Sequence, residues 1–503
     1  MAEQPLKRRA AGSIAWTALR FASDAVFNFI IFAVLARLLA PEAFGTFTIG
    51  FIFAEIGRIV AQSGLVSTLY RANELTPTLK DTVFWSNLAL GLAFAGACVG
   101  LADAAGVAIG DPNLAPLIAW LGCLVPIGSL GAVHMALTLR DFGHKALAVR
   151  SLIAGIIGGG LAVWAALEGW GLWALVIQRY AAETVSTLVA WWSYRWLPGF
   201  SFSFARLRSL VALSGSVATS QLMFLALARC QDIILARILG FAAVGLYRTA
   251  WRPIELVVQG AIVPFSTTAL PALARLQHDR AAFARGYLKL IGTSAIVSYP
   301  ALAGLGALAD QIIPLAFGGQ WGESIPIAMI LTLLIVPLSL NYFADPALTV
   351  LGEARQLLIL SMAQVAGTVL FFIVAAPYGL IAVTAAHVVR AYLTLALQLW
   401  LFRRASGISP GSILRTIAAP TFAAGLMATI LIAASWATHD LRVELSAGLK
   451  IAVLAGFVAA GAMIYAGALM LALGRQRRAN LFADLKSVLG RKVGAGNDLK
   501  RGP

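Results

Sequence analysis

The chain has 503 residues, 60% of them hydrophobic and only 12% charged, with a mean hydropathy of +0.85. A water-soluble chain carries roughly a quarter charged residues, so this composition excludes a soluble globular protein and makes a bilayer its solvent. The net charge of +16 could signal nucleic-acid binding, but its distribution along the chain assigns it to membrane topology and an anionic lipid surface.

No strand-period alternation is present, so the spanning structure is helical. Polar clusters divide the sequence into fourteen candidate spans: 12–37, 44–69, 82–102, 114–138, 148–167, 170–193, 210–236, 244–268, 288–309, 324–348, 356–376, 379–402, 413–435 and 447–473. The N-terminal stretch starts basic and turns apolar like a signal sequence. It is too long for one, however, and Arg20 and Asp24 interrupt it. With the N-terminus on the cytoplasmic side, 27 of the 38 lysines and arginines fall in cytoplasmic segments, nine lie inside or at the edge of spans, and only Arg442 and Lys450 fall on the opposite side. Both termini are therefore expected inside. The basic tail carries Leu481, Leu485 and Leu489 at a period of four and reads as a short surface-lying helix. Cys98, Cys123 and Cys230 lie in apolar runs and read as small buried thiols. No spacing of ligand-type residues suggests a metal, and no cofactor motif is present.

The stretch "LARLLAPEAFGTF" at 35–47 returns as "LARILGFAAVGLY" at 235–247. Arg37/Arg237, Gly45/Gly245 and, further on, Glu55/Glu255 coincide at one offset. The repeat sets spans 1–2 against spans 7–8, and an even number of spans per unit makes the two halves parallel. This predicts an all-α integral membrane protein of about fourteen transmembrane helices, with two pseudo-symmetric six-helix lobes plus two C-terminal helices. The expected limits are an N-lobe at 1–200, a C-lobe at 201–405, two further helices at 406–475 and a cytoplasmic basic tail at 476–503. Arg37 and Arg237 read as snorkelling cations at their own helix C-termini. Pro41 reads as a helix stop and Gly45 as a turn residue. Interior prolines at 126, 264, 300 and 337 mark bends.

An ionisable side chain at mid-bilayer costs about 2.5–3.5 kcal/mol, so each needs a partner or a watery cavity. They cluster on the repeat-related spans: Arg20, Asp24 and Asn28 on span 1, Glu55, Arg58 and Gln62 on span 2, Arg229 and Asp232 on span 7, and Arg248, Arg252 and Glu255 on span 8. Span 6 adds Arg179 and Glu183, span 10 Asp345, and span 12 His387 and Arg390. Arg179/Glu183 and Arg229/Asp232 are complete local pairs and read equally well as staples. Arg20, Arg58, Arg248 and Arg252 are the expected substrate-binding cations, since guanidinium groups grip phosphate in bidentate fashion. Asp24, Glu55, Asp232, Glu255, Asp345 and His387 are candidates for ion coupling or for pairing within the cavity. His387 reads first as a polar helix-contact residue and second as a proton site.

"ARLLAPEAFGTF" at 36–47, "LPALARLQHDRAAFARGYLK" at 270–289 and "IIPLAFGGQWGESIPI" at 312–327 together resemble the polysaccharide transporter (Wzx-like oligosaccharide flippase) branch of the multidrug/oligosaccharidyl-lipid/polysaccharide flippase superfamily. The resemblance covers nearly the whole chain. It implies a flippase for an undecaprenyl-diphosphate-linked oligosaccharide in a bacterial inner membrane, serving surface or exopolysaccharide synthesis. Partners implied with it are a polysaccharide polymerase and a chain-length regulator. It also implies a cationic central cavity, with Arg20, Arg58 and Arg252 filling roles on helices 1, 2 and 8. A cation-coupled multidrug exporter of the same superfamily is the alternative, and the arginine excess argues against it. A membrane glycan polymerase or ligase is a third reading. The short outer loops and the lack of H-E-x-x-H, G-x-S-x-G or Walker-type motifs oppose it, so the chain is expected not to be an enzyme.

Overall fold

The computed structural model describes residues 26–72, 74–141, 144–443 and 445–473. Arg20, Asp24 and the basic tail, with its expected surface helix, lie outside the described residues. The described part of each expected span falls on one or more helical segments, and the expected number of fourteen transmembrane helices stays an expectation. Among the described residues nine helices are long and apolar enough to cross a membrane, or up to eleven if two broken pairs count as one each. Two of the remaining helices are rich in polar groups, α8 (Trp173–Ser193) and α9 (Phe204–Leu239). α9 carries Arg229 and Asp232 toward its C-terminal end.

Packing divides the chain into two compact units. The first contains the described residues up to Gly260 with Ile313–Leu331 and Leu358–Thr394, and the second contains Ala261–Ile312, Thr332–Leu357 and the residues from Leu395 onward. These limits reflect packing and differ from the repeat-based limits at 200 and 405, which concern topology.

In the first unit, α1 (Val26–Leu38) leads to α2 (Pro41–Arg58), a π-helical turn at Ile59–Ser63, and α3 (Gly64–Arg71). Pro41 occupies the first turn of α2, where its missing N–H costs nothing. The next helix, α4 (Pro77–Ile109), is capped by the Thr76 hydroxyl and closed by Gly110 at φ 104°. Then come α5 (Ala115–Gly122), α6 (Leu124–Arg140) and α7 (His144–Leu167). The bend expected at Pro126 is a break at Cys123, between α5 and α6.

α8 is tied to α6 by two side chains that take carbonyls of that helix. Thr187 Oγ1 donates to Ile127 O at 3.0 Å and Trp191 Nε1 to Leu130 O at 2.8 Å. Where α3, α4 and α6 meet, Leu65, Leu69, Val83, Phe84, Val133, Ala136 and Leu137 form a buried cluster. Beside it the buried Asp81 carboxylate accepts from Gly199 N at 3.0 Å and Ser201 Oγ at 2.9 Å, pinning the segment between α8 and α9 to the start of α4.

The repeated glycines have a different role from the one expected. Gly45 lies within α2, not in the turn before it, and Gly245 lies within α10 (Phe241–Ala261). A Cβ on Gly45 would sit 1.7 Å from Phe241 O, and a Cβ on Gly245 would sit 1.9 Å from Pro41 O. The starts of α2 and α10 therefore cross face to face, each glycine admitting the other helix's backbone, as small residues do between membrane helices. The strained turn is elsewhere, at Gly240 with φ 85°.

Arg37 is also reassigned. Its guanidinium donates to Leu315 O and Ala316 O, the latter at 3.2 Å, near the C-terminus of α13 (Ala309–Phe317). It offsets the dipole of a second helix and not of its own. The exchange is mutual: Trp321 Nε1 donates to Ala36 O at 2.7 Å and Gln320 Nε2 to Leu39 O at 3.1 Å, covering the end of α1. Arg237 lies in the related position against Gly110, its Nη1 3.2 Å from where a Cβ would be.

The second unit is built on α12 (Arg280–Ala307), α18 (Pro410–Ala437) and α20 (Ala447–Ala472), which pack on one another. Tyr465 Oη donates to Ile296 O at 3.0 Å, and Asp310 takes Ser435 Oγ at 2.9 Å and Arg442 at 3.4 Å. Pro264 and Pro337 follow breaks at Ile262 and at Leu333–Leu334. These breaks separate α10 from α11 (Val263–Ala274) and α14 (Ser324–Thr332) from α15 (Ile335–Val350). Pro300 is accommodated inside α12. Two further helices, α16 (Ala354–Ala375) and α17 (Leu380–Ser406), run through residues of both units.

Candidate functional site

The charged residues on α2, α8, α9 and α10 form two groups, one largely paired and one facing open space. The paired group joins α2, α9 and α10. Arg229 makes a fork on Glu55, Nε to Oε2 at 2.8 Å and Nη2 to Oε1 at 2.7 Å. Asp232 is fully buried; it takes Arg248 Nε at 2.9 Å and lies 3.5 Å from Arg229 Nη1. The expected local pairing of Arg229 with Asp232 is thus secondary to pairing across helices. Arg248, expected in the binding set, is neutralised by Asp232 and does not line the cavities described next. Asp232→Asn would leave the largely buried Arg248 guanidinium without its carboxylate, while Arg229 would keep Glu55. Breaking a buried pair from one side costs about 3–5 kcal/mol, so this variant should show a clearly lowered melting temperature in detergent. Unchanged melting would mean the network is not structural.

The second group surrounds two adjoining cavities. The larger, about 390 Å³, is lined by Asn28, Phe29, Phe32, Gln178, Arg179, Arg252, Glu255 and Gln259, among others. The smaller, about 80 Å³, is lined by Phe51, Glu55, Arg58, Gln62, Gly128, Arg179 and Glu183. Only the larger falls in the range of small-ligand sites, ~300–1,000 Å³.

Local structure places these groups. Arg58 and Gln62 flank and enter the π-helical turn that ends α2, a feature frequent at functional sites. Gly128 leaves room for the polar groups beside it, since a Cβ there would fall 2.5 Å from Glu183 Oε1 and 2.9 Å from Gln62 Nε2. Pro253 follows Arg252 inside α10 and removes the N–H that would bond the Thr249 carbonyl, loosening the helix at that arginine.

Arg252 pairs with Glu255 at 3.0 Å and lies over the Phe32 ring at 4.8 Å. Both charged side chains are well exposed, at 39% and 45%. Arg58 is exposed and has no hydrogen-bond or ion-pair partner among the described residues. Arg179 lies over Phe51 at 4.6 Å, and its buried Nε has no partner. The local pair expected between Arg179 and Glu183 is not formed within ion-pair distance among the described residues. Glu55, Asp232 and Glu255 each have an arginine already, so among the described residues Glu183 is the one carboxylate lining these cavities without an arginine partner.

The remaining candidates lie apart. His387, on α17, is buried with Nδ1 2.6 Å from Tyr247 Oη and stacks on Trp251. It lines neither cavity. Asp345 stands on α15 in the second unit. No group of three or more metal-ligating residues occurs among the described residues.

This helical membrane architecture recurs in solved transporters. The chain is similar to the lipid II flippase MurJ in its inward closed conformation, with a TM-score of 0.67 at 12% identity over 90% of this chain and 99% of that one. It is also similar to an inward-facing multidrug resistance MATE family transporter, with a TM-score of 0.60 at 18% identity over 78% of this chain and 98% of that one. In sequence, residues 34–326 match the polysaccharide biosynthesis protein family, and the chain belongs to that family. It is 26% identical over 321 residues to the succinoglycan biosynthesis transport protein ExoT of Rhizobium meliloti (strain 1021) and 24% identical over 330 residues to the lipopolysaccharide biosynthesis protein WzxC of Escherichia coli (strain K12). These matches cover 64% and 65% of this chain, and 65% and 67% of the relatives' lengths.

Proposed function

We propose that this protein is a flippase that moves a lipid-linked oligosaccharide, attached through a diphosphate to undecaprenol, from the inner to the outer leaflet of a bacterial inner membrane. The observation that carries this reading is the pair Arg58 and Arg179, both lining cavities among apolar helices and neither in an ion pair among the described residues, where Glu55 and Glu255 are already taken by Arg229 and Arg252. An uncompensated cation in such a place favours an anionic ligand. The amides of Asn28, Gln178 and Gln259 and the rings of Phe29 and Phe32 supply donors, acceptors and flat apolar surface of the kind sugars use. Arg20 and Asp24 remain candidates for the same cavity. The MurJ fold and the transport role in the name of ExoT support the reading. A multidrug exporter for cationic substrates would want the opposite charge balance.

Orientation belongs to the same proposal. Both termini and the loops at 194–209 and 269–287 are cytoplasmic, and the N-lobe 1–200 and C-lobe 201–405 act as repeat-related halves. Cysteine labelling from one side would find the 269–287 loop accessible from the cytoplasm, and an outward location would contradict the two-lobe topology. A polymerase and a chain-length regulator are the partners that would use the product, and anionic lipids would hold the basic inner face. Deleting the gene should abolish one surface or exopolysaccharide and accumulate its lipid-linked repeat unit. Normal polymer in a strain with no second flippase would overturn the assignment.

A further inference from the structure

Among the described residues Arg179 is the one charged residue that lines both cavities. Arg252 lines only the larger and Arg58 only the smaller. Along α8, Gln178 faces the larger cavity and Ala182 and Glu183 the smaller, so the two spaces follow each other along the helix axis with Arg179 at the junction. Among the described residues the Arg179 side chain is held by the Phe51 ring and by no carboxylate, and its Nε has no partner. A group placed this way is oriented but not neutralised. The smaller space is about 80 Å³ against about 390 Å³ for the larger. In this state it has room for a small polar group, whereas the larger has room for sugar rings.

We propose that Arg179 is the shared anion contact of two successive positions, holding the substrate's diphosphate with Arg252 in the larger cavity and with Arg58 in the smaller, and passing it between them. The proposal rests on the flippase reading and adds a specificity-determining residue to it. Its physical content is that the anion never leaves a guanidinium as it moves along the helix axis. Arg179 need not shift far, because its fork offers more than one edge to phosphate oxygens. Glu183, one turn further on, and Glu255, on Arg252, keep the resting cavities from holding three uncompensated cations. The anion competes with them and does not bind irreversibly.

Two positions sharing one contact give a distinctive binding pattern. The test uses the purified full chain in nanodiscs, with farnesyl diphosphate as the charged probe and farnesol as its uncharged control, measured by calorimetry. Arg58→Gln or Arg252→Gln leaves one position intact and should weaken farnesyl diphosphate binding only about twofold to threefold. Arg179→Gln removes a contact from both positions and should weaken it about tenfold or more, the effect of losing one hydrogen-bonded charge. The double variant Arg58→Gln/Arg252→Gln should match Arg179→Gln. Farnesol binding should be unchanged throughout, and Arg179→Lys should recover part of the affinity. If Arg179→Gln does not yield folded protein, Arg179→Lys alone must still bind farnesyl diphosphate more weakly at an unchanged melting temperature. The proposal is overturned if Arg179→Gln binds as wild type, if Arg252→Gln alone is as damaging as Arg179→Gln, or if farnesol binding falls in step. Wild-type protein that prefers farnesol to farnesyl diphosphate would overturn the flippase reading itself.

Discussion

Arg252→Ala should abolish export while leaving normal amounts of folded protein in the membrane, and Arg252→Lys should restore it only in part. The argument turns on exposure. Arg252 and Glu255 form an i,i+3 pair with both side chains well exposed to the cavity. Exposed pairs of this kind contribute about 0–1 kcal/mol to stability, so the fold should survive the loss. A diphosphate in the same cavity would draw on the guanidinium far more strongly, through two parallel charge-assisted bonds. Lysine keeps the charge but not the fork, which is why rescue should be incomplete. The contrast with Asp232 makes the prediction sharp: that carboxylate is fully buried between two arginines, and its loss should appear first as instability. Export by Arg252→Ala at the wild-type rate would remove Arg252 from the substrate path. Disappearance of the protein from the membrane would make it a structural staple.

The second large effect is expected at the helix crossing. In an exposed helix, Gly→Ala stabilises by about 1 kcal/mol. Gly96 and Gly100 on α4 have no atom within 4 Å of an added Cβ, so alanine there should be neutral or mildly stabilising. At Gly45 and Gly245 the added carbon would fall 1.7 Å and 1.9 Å from backbone oxygens. A backbone oxygen cannot rotate away as a side chain can, so the starts of α2 and α10 must separate. Overpacking of this kind typically costs about 1–3 kcal/mol, which outweighs the gain in helix propensity. Gly45→Ala and Gly245→Ala should each lower the melting temperature measurably, and Gly45→Val more so. A Gly45→Ala protein that melts at or above the wild-type temperature would show that the helices are not held this closely.

These two sites also show what the sequence could reveal. The repeat of Arg37, Gly45 and Glu55 at 237, 245 and 255 was visible, and so was its link to the starts of two related helix pairs. The purpose of the glycines was not, because a glycine required by a neighbouring helix looks the same in one chain as a glycine in a turn. The same limit applies to the charges. Arg179 and Glu183, at i,i+4, looked complete as a local pair, yet the structure leaves Arg179 over Phe51 and facing two cavities. Arg229 looked paired with Asp232 but reaches Glu55 on another helix, a partner 174 residues away that no local spacing announces. Pro253, beside Arg252, is by contrast a plain signal in the sequence, a proline inside an apolar run. Helix positions were legible because apolar runs bounded by charge and proline are dictated by the bilayer. Contacts between helices were not, because every lipid-facing or helix-facing position can be filled by the same apolar residues.

The central claim is that the chain moves a diphosphate-linked lipid through an arginine-lined cavity. Its most direct test is a flipping measurement with the purified protein in liposomes containing a fluorescent undecaprenyl-diphosphate-linked sugar, with loss of the label's accessibility at one leaflet followed over time. The account predicts faster movement than in protein-free liposomes, abolished by Arg252→Ala and by Arg179→Gln. Movement no faster than in protein-free liposomes, or equal rates for wild type and both variants, would contradict it.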